Sequence, residues 1–169
     1  MNALVNQIMV DQIEERLVQG GIHRIVSCVE RLNEDQLNFR PNSNSNSINN
    51  QILHLDGNVR QWLISSILDI KDERDRDAEF DPENKQSKEE LLGILNQLEV
   101  DVKKTYKTIL TRDLTERKEV QCYTESLLSI IVHVIEHFNY HHGQITYITK
   151  MLLDIDTGYY AGQDLNKVN

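Results

Sequence analysis

The chain has 169 residues and carries 27 acidic against 18 basic side chains, which gives a formal net charge of −9. An acidic chain without a basic run is a poor candidate for a nucleic-acid-binding protein, because contacts to a phosphate backbone depend on clustered lysine and arginine. The length is most simply that of a single domain over residues 1–169, large enough to bury a core without disulfides.

The cellular location and the role of the cysteines are predicted from motifs that the sequence lacks. No N-terminal run resembles a signal peptide, and no stretch approaches about 18 uninterrupted apolar residues. The helical patterns also lack the lysine- and arginine-rich polar face of a membrane-surface helix, so we expect a cytoplasmic protein without membrane contact. Cys28 and Cys122 stand in no CxxC pattern, and Cys28, in an apolar helical stretch, is predicted to be an inert core residue.

Apolar residues at three- and four-residue spacing predict a first long helix from about Leu4 to Leu32. Gly20-Gly21 in its middle should weaken or bend it locally. His23 lies alone just beyond these glycines and is predicted to be a surface or packing residue. Pro41 prevents any continuation of the helix.

The second helix is predicted from about Ile48 to Ile70, with Ser47 as its N-cap. Its apolar residues occupy more than one face, so we expect neighbours on more than one side. His54 is its only histidine, and Gln51 and Asn58 lie about one turn to either side of it.

Residues 71–82 alternate in charge in a way that a core helix would not tolerate. One interpretation is a solvated loop. The other is a segment that covers a site or pairs across an interface. The sequence leaves open whether Arg74, Arg76 and Glu79 line a cavity or lie at its rim.

A capping box at residues 87–90 opens the third helix, which runs through about Ile109. Residues 112–123 are polar and broken, and Val120–Tyr123 gives a weak signal for a short extended piece. The fourth helix starts near Thr124 or Ser126 and ends near residue 153, after which residues 156–162 form a tail. Four amphipathic helices of roughly 20 to 30 residues predict an all-α four-helix bundle.

The densest chemical signal lies in the fourth helix, where four of the six histidines fall within residues 133–142. At about 100° per residue, His137 and His141 lie inside the apolar stripe, His133 at its edge and His142 well to one side. Buried imidazoles need a partner for each nitrogen. Hydrogen bonds to neighbouring side chains and a bound metal ion both satisfy that need, and the spacing alone does not decide between them.

A third ligand would come from the second helix if the two helices are neighbours, because His54 would then meet His137 and His141. Three neutral imidazoles leave a coordination position open for water or a substrate, the arrangement that catalysis requires. Imidazole ligands suit zinc, nickel, iron or cobalt almost equally. No general base is evident, since the nearness of His133 or His142 in sequence assigns no role.

Three stretches, residues 47–62, 72–80 and 133–144, resemble the DinB-like (YfiT) superfamily, and in particular its bacterial branch of uncharacterised domains. Residues 37–41 and 158–162 also fit, so the resemblance covers nearly the whole chain. It implies an up-down-down-up four-helix bundle, often dimeric, with a divalent metal held by three histidines. Carried over position by position, the metal ligands are His54, His137 and His141, and the identity of the divalent ion, zinc, nickel or iron, stays open.

The resemblance also implies a chemistry. Members of the superfamily include S-transferases and isomerases that use low-molecular-weight thiols such as bacillithiol or mycothiol. It therefore predicts a metal-dependent enzyme, an S-transferase or a hydrolase-like protein, acting on small electrophiles with a thiol cosubstrate. The alternative is a non-catalytic metal-binding or structural protein that forms a homodimer, and fold analogy cannot choose between the two.

Overall fold

The structure, a computed structural model, describes residues 2–167 and is mostly helical with one small antiparallel sheet. The predicted helical class is therefore confirmed. Within the described range, no helix is long and apolar enough to cross a bilayer. The elements in chain order, where π1 and π2 are π-helical, are α1 (Asn2–Gln12), π1 (Ile13–Ile22), α2 (His23–Arg31), α3 (Glu34–Leu37), α4 (Ile48–Val59), π2 (Arg60–Ser65), α5 (Ser66–Leu68), α6 (Arg76–Phe80), α7 (Lys88–Thr111), β1 (Arg117–Val120), β2 (Tyr123–Ser126) and α8 (Leu127–Leu153).

The first long helical segment runs without interruption through α1, π1 and α2 and ends at Leu32, where the backbone becomes extended. The predicted weak point falls inside π1, whose wider turns contain both Gly20 and Gly21. Gly21 has a packing role, because a Cβ at this position would lie 2.7 Å from the ring of Phe138 on α8. The glycine therefore lets the first and fourth helical segments approach closely.

The second long helical segment comprises α4, π2 and α5. Ser47 caps it as predicted, since its side chain accepts a hydrogen bond from the backbone N–H of Asn50. It ends at Leu68, two residues before the predicted Ile70, because Asp69 adopts a left-handed conformation with φ of 54°.

The third segment, α7, begins with the predicted capping box, in which Ser87 and Glu90 bond reciprocally. The region after it differs from the prediction. Residues 117–126 form a β-hairpin in which Val120 pairs with Tyr123, so the expected extended piece is only the tip of a longer feature. Thr124 lies in β2 and does not start a helix, whereas Ser126 is the N-cap of α8.

Helix packing brings the second and fourth segments together, as the three-ligand hypothesis requires. Both α4 and π2 contact α8, while α4 also contacts α7 and the short α6. The first segment contacts α7 and α8. Apolar side chains from all four segments are fully buried between them, including Leu17, Ile25, Ile52, Leu55, Leu95, Val102, Ile130 and Phe138.

Candidate metal centre

Three histidines from two helices converge at one point. The ring centroid of His54 on α4 lies 5.0 Å from that of His137 and 4.9 Å from that of His141, both on α8. The two α8 rings are 4.7 Å apart, and each residue offers one nitrogen within 4.8 Å of the others. His54 and His141 are buried and His137 is half-buried. We call these three residues the histidine cluster.

The remaining histidines lie outside the cluster. His133 is half-buried, and its ring lies between that of Trp62 at 4.2 Å and that of His137 at 5.6 Å. His142 projects to another side of α8, as predicted, but it is buried there against Tyr159. His23 is the expected surface residue, with a 42% exposed side chain 2.9 Å from a glutamate.

A buried ion pair holds His54 from behind. The Nδ1 atom of His54 lies 2.9 Å from Oε2 of Glu79, and Arg74 donates two hydrogen bonds to the same carboxylate, at 2.6 and 2.7 Å. The Arg74 and Glu79 side chains are only 3% and 7% exposed. The solvated-loop interpretation is therefore wrong for these two residues, whereas Arg76 is exposed over the ring of Phe80.

Gly57 makes this arrangement possible. It lies on α4, three residues after His54, and a Cβ there would be 2.0 Å from Oε1 of Glu79 and 3.0 Å from Nε of Arg74. Any side chain at residue 57 would occupy the place of the carboxylate. The glycine thus lets a charged pair from the segment around α6 lie directly against the helix that carries His54.

The hydrogen bonds fix the tautomers of two cluster members. The Glu79 carboxylate accepts from Nδ1–H of His54. Arg74 Nη2 lies 3.1 Å from the same nitrogen, but its shorter contact is with the carboxylate. The Nδ1 atom of His141 lies 3.3 Å from Oε1 of Gln51 and donates to that oxygen. Both rings therefore turn an unprotonated Nε2 away from these partners, as metal-ligating histidines do.

His137 completes the cluster. Its Nε2 lies 2.9 Å from Nε2 of His54, and because the latter is unprotonated, His137 donates the hydrogen that joins them. A divalent ion in place of that hydrogen would separate two tetrahedral nitrogen ligands by about 3.3 Å, so a shift of a few tenths of an ångström accommodates it. The donor set and its spacing fit a metal ion.

The electrostatic environment keeps the two α8 histidines of the cluster in the neutral state that binds a cation. Burial, reinforced by the neighbouring imidazoles His141 and His54, lowers the pKa of His137 to about 4, and burial with the nearby His54 lowers that of His141 to about 4. Burial alone would raise the pKa of Glu79, but hydrogen bonds from Arg74 and His54 outweigh it and lower this pKa. At neutral pH the α8 ligands are neutral and the supporting carboxylate is ionised.

Two pockets meet the cluster along the groove between α4 and α8. The first pocket has a volume of about 760 Å³, borders His54 and His137, and is within the size range of small-molecule sites. The second pocket, of about 620 Å³, borders His141 and Gln51. The first pocket is also lined by Asn58, Trp62, Arg74, Arg76, Gln121, Tyr123, Glu125, Leu128, Ser129, Val132, His133 and Glu136.

Comparison with known proteins places the chain in a family. A sequence model described as a protein of unknown function (DUF1572) matches residues 7–159, which include the whole histidine cluster. The chain belongs to the DUF1572 family. No curated protein and no solved structure gives a significant match. The family description assigns no activity, so the function of this DUF1572 chain has to be argued from its site.

Sequence reasoning identified the three histidines of this DUF1572 chain but not their supports. Glu79 stood in a charged segment whose charge pattern favoured a solvated loop over a segment that covers a site. Gln51 and Asn58 were noted only as neighbours of His54 on its helix. Gly57 gave no signal at all, because a single glycine in a helical pattern does not disclose what approaches it.

Proposed function

We propose that this chain is a metal-dependent enzyme in which His54, His137 and His141 hold a divalent ion, zinc, nickel or iron. The reaction we propose is the transfer of a low-molecular-weight thiol to a small electrophile. The observation that carries the proposal is the convergence of three imidazoles, two of them held from behind by Glu79 and Gln51, beside an open pocket. Structural metal sites more often have four protein ligands, frequently thiolates, whereas three leave room for a substrate.

The residues of the chain supply binding, orientation and shielding from water. A divalent ion held here would act as a Lewis acid and lower the pKa of a thiol beside it. Glu79 fixes the ring of His54 and increases its basicity, and Arg74 holds that carboxylate in place. Trp62, only 5% exposed, and the partly exposed Leu128 give the first pocket an apolar wall for an electrophile.

The proposal includes membership of the DinB-like (YfiT) superfamily and its up-down-down-up four-helix bundle, as one domain over residues 1–169 in the cytoplasm. The contacts of the second segment with α7 and α8 are compatible with that topology.

We also propose a homodimer that binds neither nucleic acid nor membrane. Exposed apolar side chains along α8 support an interface between copies of the chain, which light scattering tests through the molar mass. They are Leu128, Val132, Tyr140, Tyr147 and Met151.

Metal content tests the centre itself. Protein purified without a nickel column should contain one transition-metal ion per chain by elemental analysis, and His54→Ala and His137→Ala should lose it. His23→Ala, which changes an exposed histidine outside the cluster, is the matched control and should retain the metal. Metal-free wild-type protein that takes up no ion on dialysis against zinc, nickel or iron would refute the proposal.

Activity is tested with a model electrophile. Metal-loaded protein should conjugate added small thiols to 1-chloro-2,4-dinitrobenzene faster than the thiols react alone, and chelation should abolish the acceleration. If the metal-loaded protein fails to accelerate the conjugation of any added thiol, that result would contradict the transferase assignment and favour the non-catalytic alternative.

A further inference from the structure

Three charged side chains on the wall of the first pocket have no ionic partner in the protein. They are Arg76 on α6, Glu125 on β2 and Glu136 on α8. None of the three forms a salt bridge with another described residue. Arg76 and Glu136 are exposed and Glu125 is half-exposed, so a ligand in the pocket can reach all three charges.

Arg76 is unpaired although carboxylates lie beside it in the sequence. Asp75 and Asp77 flank it, yet its guanidinium lies over the ring of Phe80, 4.9 Å from the ring centroid. The Phe80 ring in turn lies 5.0 Å from the ring of His54. These two contacts in series hold the cation on the pocket wall close to the histidine cluster.

The two carboxylates are unpaired as well. No lysine or arginine lies within one turn of Glu136 on α8. Glu125 pairs across the hairpin with Lys118, but the ammonium of Lys118 bonds two other carboxylates, at 2.6 and 2.7 Å. Burial lowers the pKa of His133, and the charges of Glu136 and Glu125 oppose this shift. Both carboxylates therefore lie near His133, on the α8 side of the pocket.

The charges of opposite sign stand on different sides of the pocket. The cation is on α6, which packs on α4, and the carboxylates are on α8 and on β2, which packs on α8. Arg74 also lines the pocket, but its charge is already paired with Glu79. The pocket thus offers one group for an anion and a pair of groups for a cation, both beside the histidine cluster.

We infer that the first pocket binds a zwitterionic thiol of the α-amino-acid type, whose carboxylate pairs with Arg76 and whose ammonium group pairs with Glu136 and Glu125. This inference rests on the proposed function and names the class of its thiol cosubstrate, cysteine or a cysteine derivative that keeps both charges. The planar guanidinium of arginine matches a carboxylate with two parallel hydrogen bonds. In cysteine both charged groups stand on the carbon next to the one that carries sulfur, so a sulfur at the cluster brings them between the two walls.

A series of four thioethers tests the charge preference. They are S-benzyl-L-cysteine, S-benzylcysteamine, 3-(benzylthio)propionate and 2-(benzylthio)ethanol, which share the benzyl thioether of a conjugated product and carry both charges, the cation, the anion or neither. Metal-free protein is titrated, so that no ion chelates the amino-acid group. Trp62 is the only tryptophan of the chain and lines the pocket, so its fluorescence reports binding. Each charge on the ligand should tighten binding to wild type about fivefold.

Variants assign each preference to its side chain. Arg76→Gln should lose the gain from the carboxylate and keep the gain from the ammonium group, and the double variant Glu125→Gln/Glu136→Gln should do the opposite. Arg31→Gln and Glu89→Gln, at exposed positions outside the pocket, are the matched controls and should bind all four ligands as wild type does. Because the three pocket charges form no salt bridge, the variants should melt at the temperature of wild type.

The outcomes separate the inference from the proposed function. Equal binding of the four ligands by wild type, or a charge preference that survives in the pocket variants, would refute the zwitterion assignment. Conjugation of uncharged thiols by the metal-loaded protein would then leave the transferase function standing. The expected charge preference in a protein that conjugates neither cysteine nor any other thiol when loaded with metal would refute the transferase function and confirm the charge assignment of the pocket.

Discussion

Glu79→Gln is the change that most directly tests how the histidine cluster is supported. The substitution keeps the shape of the side chain but removes its charge, and it leaves the Arg74 guanidinium, 3% exposed, without its anion. Breaking a buried ion pair by removing one partner costs about 3–5 kcal/mol of unfolding free energy. Because the glutamine oxygen still accepts one hydrogen bond, we expect the lower end, about 3 kcal/mol, in urea unfolding of the metal-free protein.

The same substitution should weaken metal binding by about 10- to 100-fold, because a carboxylate behind a ligating histidine orients the ring and raises its basicity. A competition titration with a chromophoric chelator measures this affinity. Arg74→Met in the Glu79→Gln background separates the two effects, since it should recover stability but not affinity. Glu83→Gln, an 82% exposed glutamate, is the control and should change neither quantity. Metal affinity within twofold of wild type in Glu79→Gln would refute the supporting role.

Three further predictions concern the same site. Gly57→Ala should lower both stability and metal affinity, since its Cβ would displace the Glu79 carboxylate. Gly93→Ala, whose Cβ meets only open space on helix α7, should instead stabilise by about 0.5–1 kcal/mol in the same urea titration. Chelation of the loaded protein should lower its melting temperature reversibly in calorimetry, and substitution of any cluster histidine should abolish that response. The metal-free protein should lose stability as pH falls from about 6.5 towards 4, because His137 and His141 titrate near 4 when folded and near 6.5 when unfolded, so that the unfolded chain binds more protons in this window. Urea midpoints that stay constant across that window would contradict this reasoning.

The helices were predictable because their signals are local. The spacing of apolar residues, together with the N-caps Ser47 and Ser87, predicted long helical segments close to the positions that they have in the structure. The hairpin was missed because its strands are short and polar, and Arg117–Ser126 carries little apolar alternation by which a strand is recognised. Helical periodicity also could not show that the first and second segments contain π-helical turns, which depend on what packs against them.

The same difference between local and tertiary signals decides which parts of the candidate site could be predicted. His137 and His141 were placed inward by their position on one helix. His54, the only histidine of the second helix, joined them on the condition that the two helices are neighbours, and the resemblance to a known superfamily implied the same three ligands. The supports of the site depend on tertiary contacts between residues far apart in sequence. The contact between Glu79 and His54 spans 25 residues, and that between Gln51 and His141 spans 90. The charge pattern shows that Arg74 and Glu79 are charged. It does not show that the segment around α6 packs these two side chains against Gly57.

The energetics of the cluster support our proposal of a bound cation. Replacing a buried ion pair with well-packed apolar residues is often neutral or stabilising, so the pair of Arg74 and Glu79 is weak evidence for stability and stronger evidence for a need to hold His54. The cluster adds to this cost, because three imidazoles crowd around one point and burial lowers the pKa of two of them, His137 and His141. A divalent ion would reverse the sign of that interaction: the lone pairs of His54 and His141 would then face a positive charge, and the ionised Glu79 behind His54 would strengthen the bond from that ring.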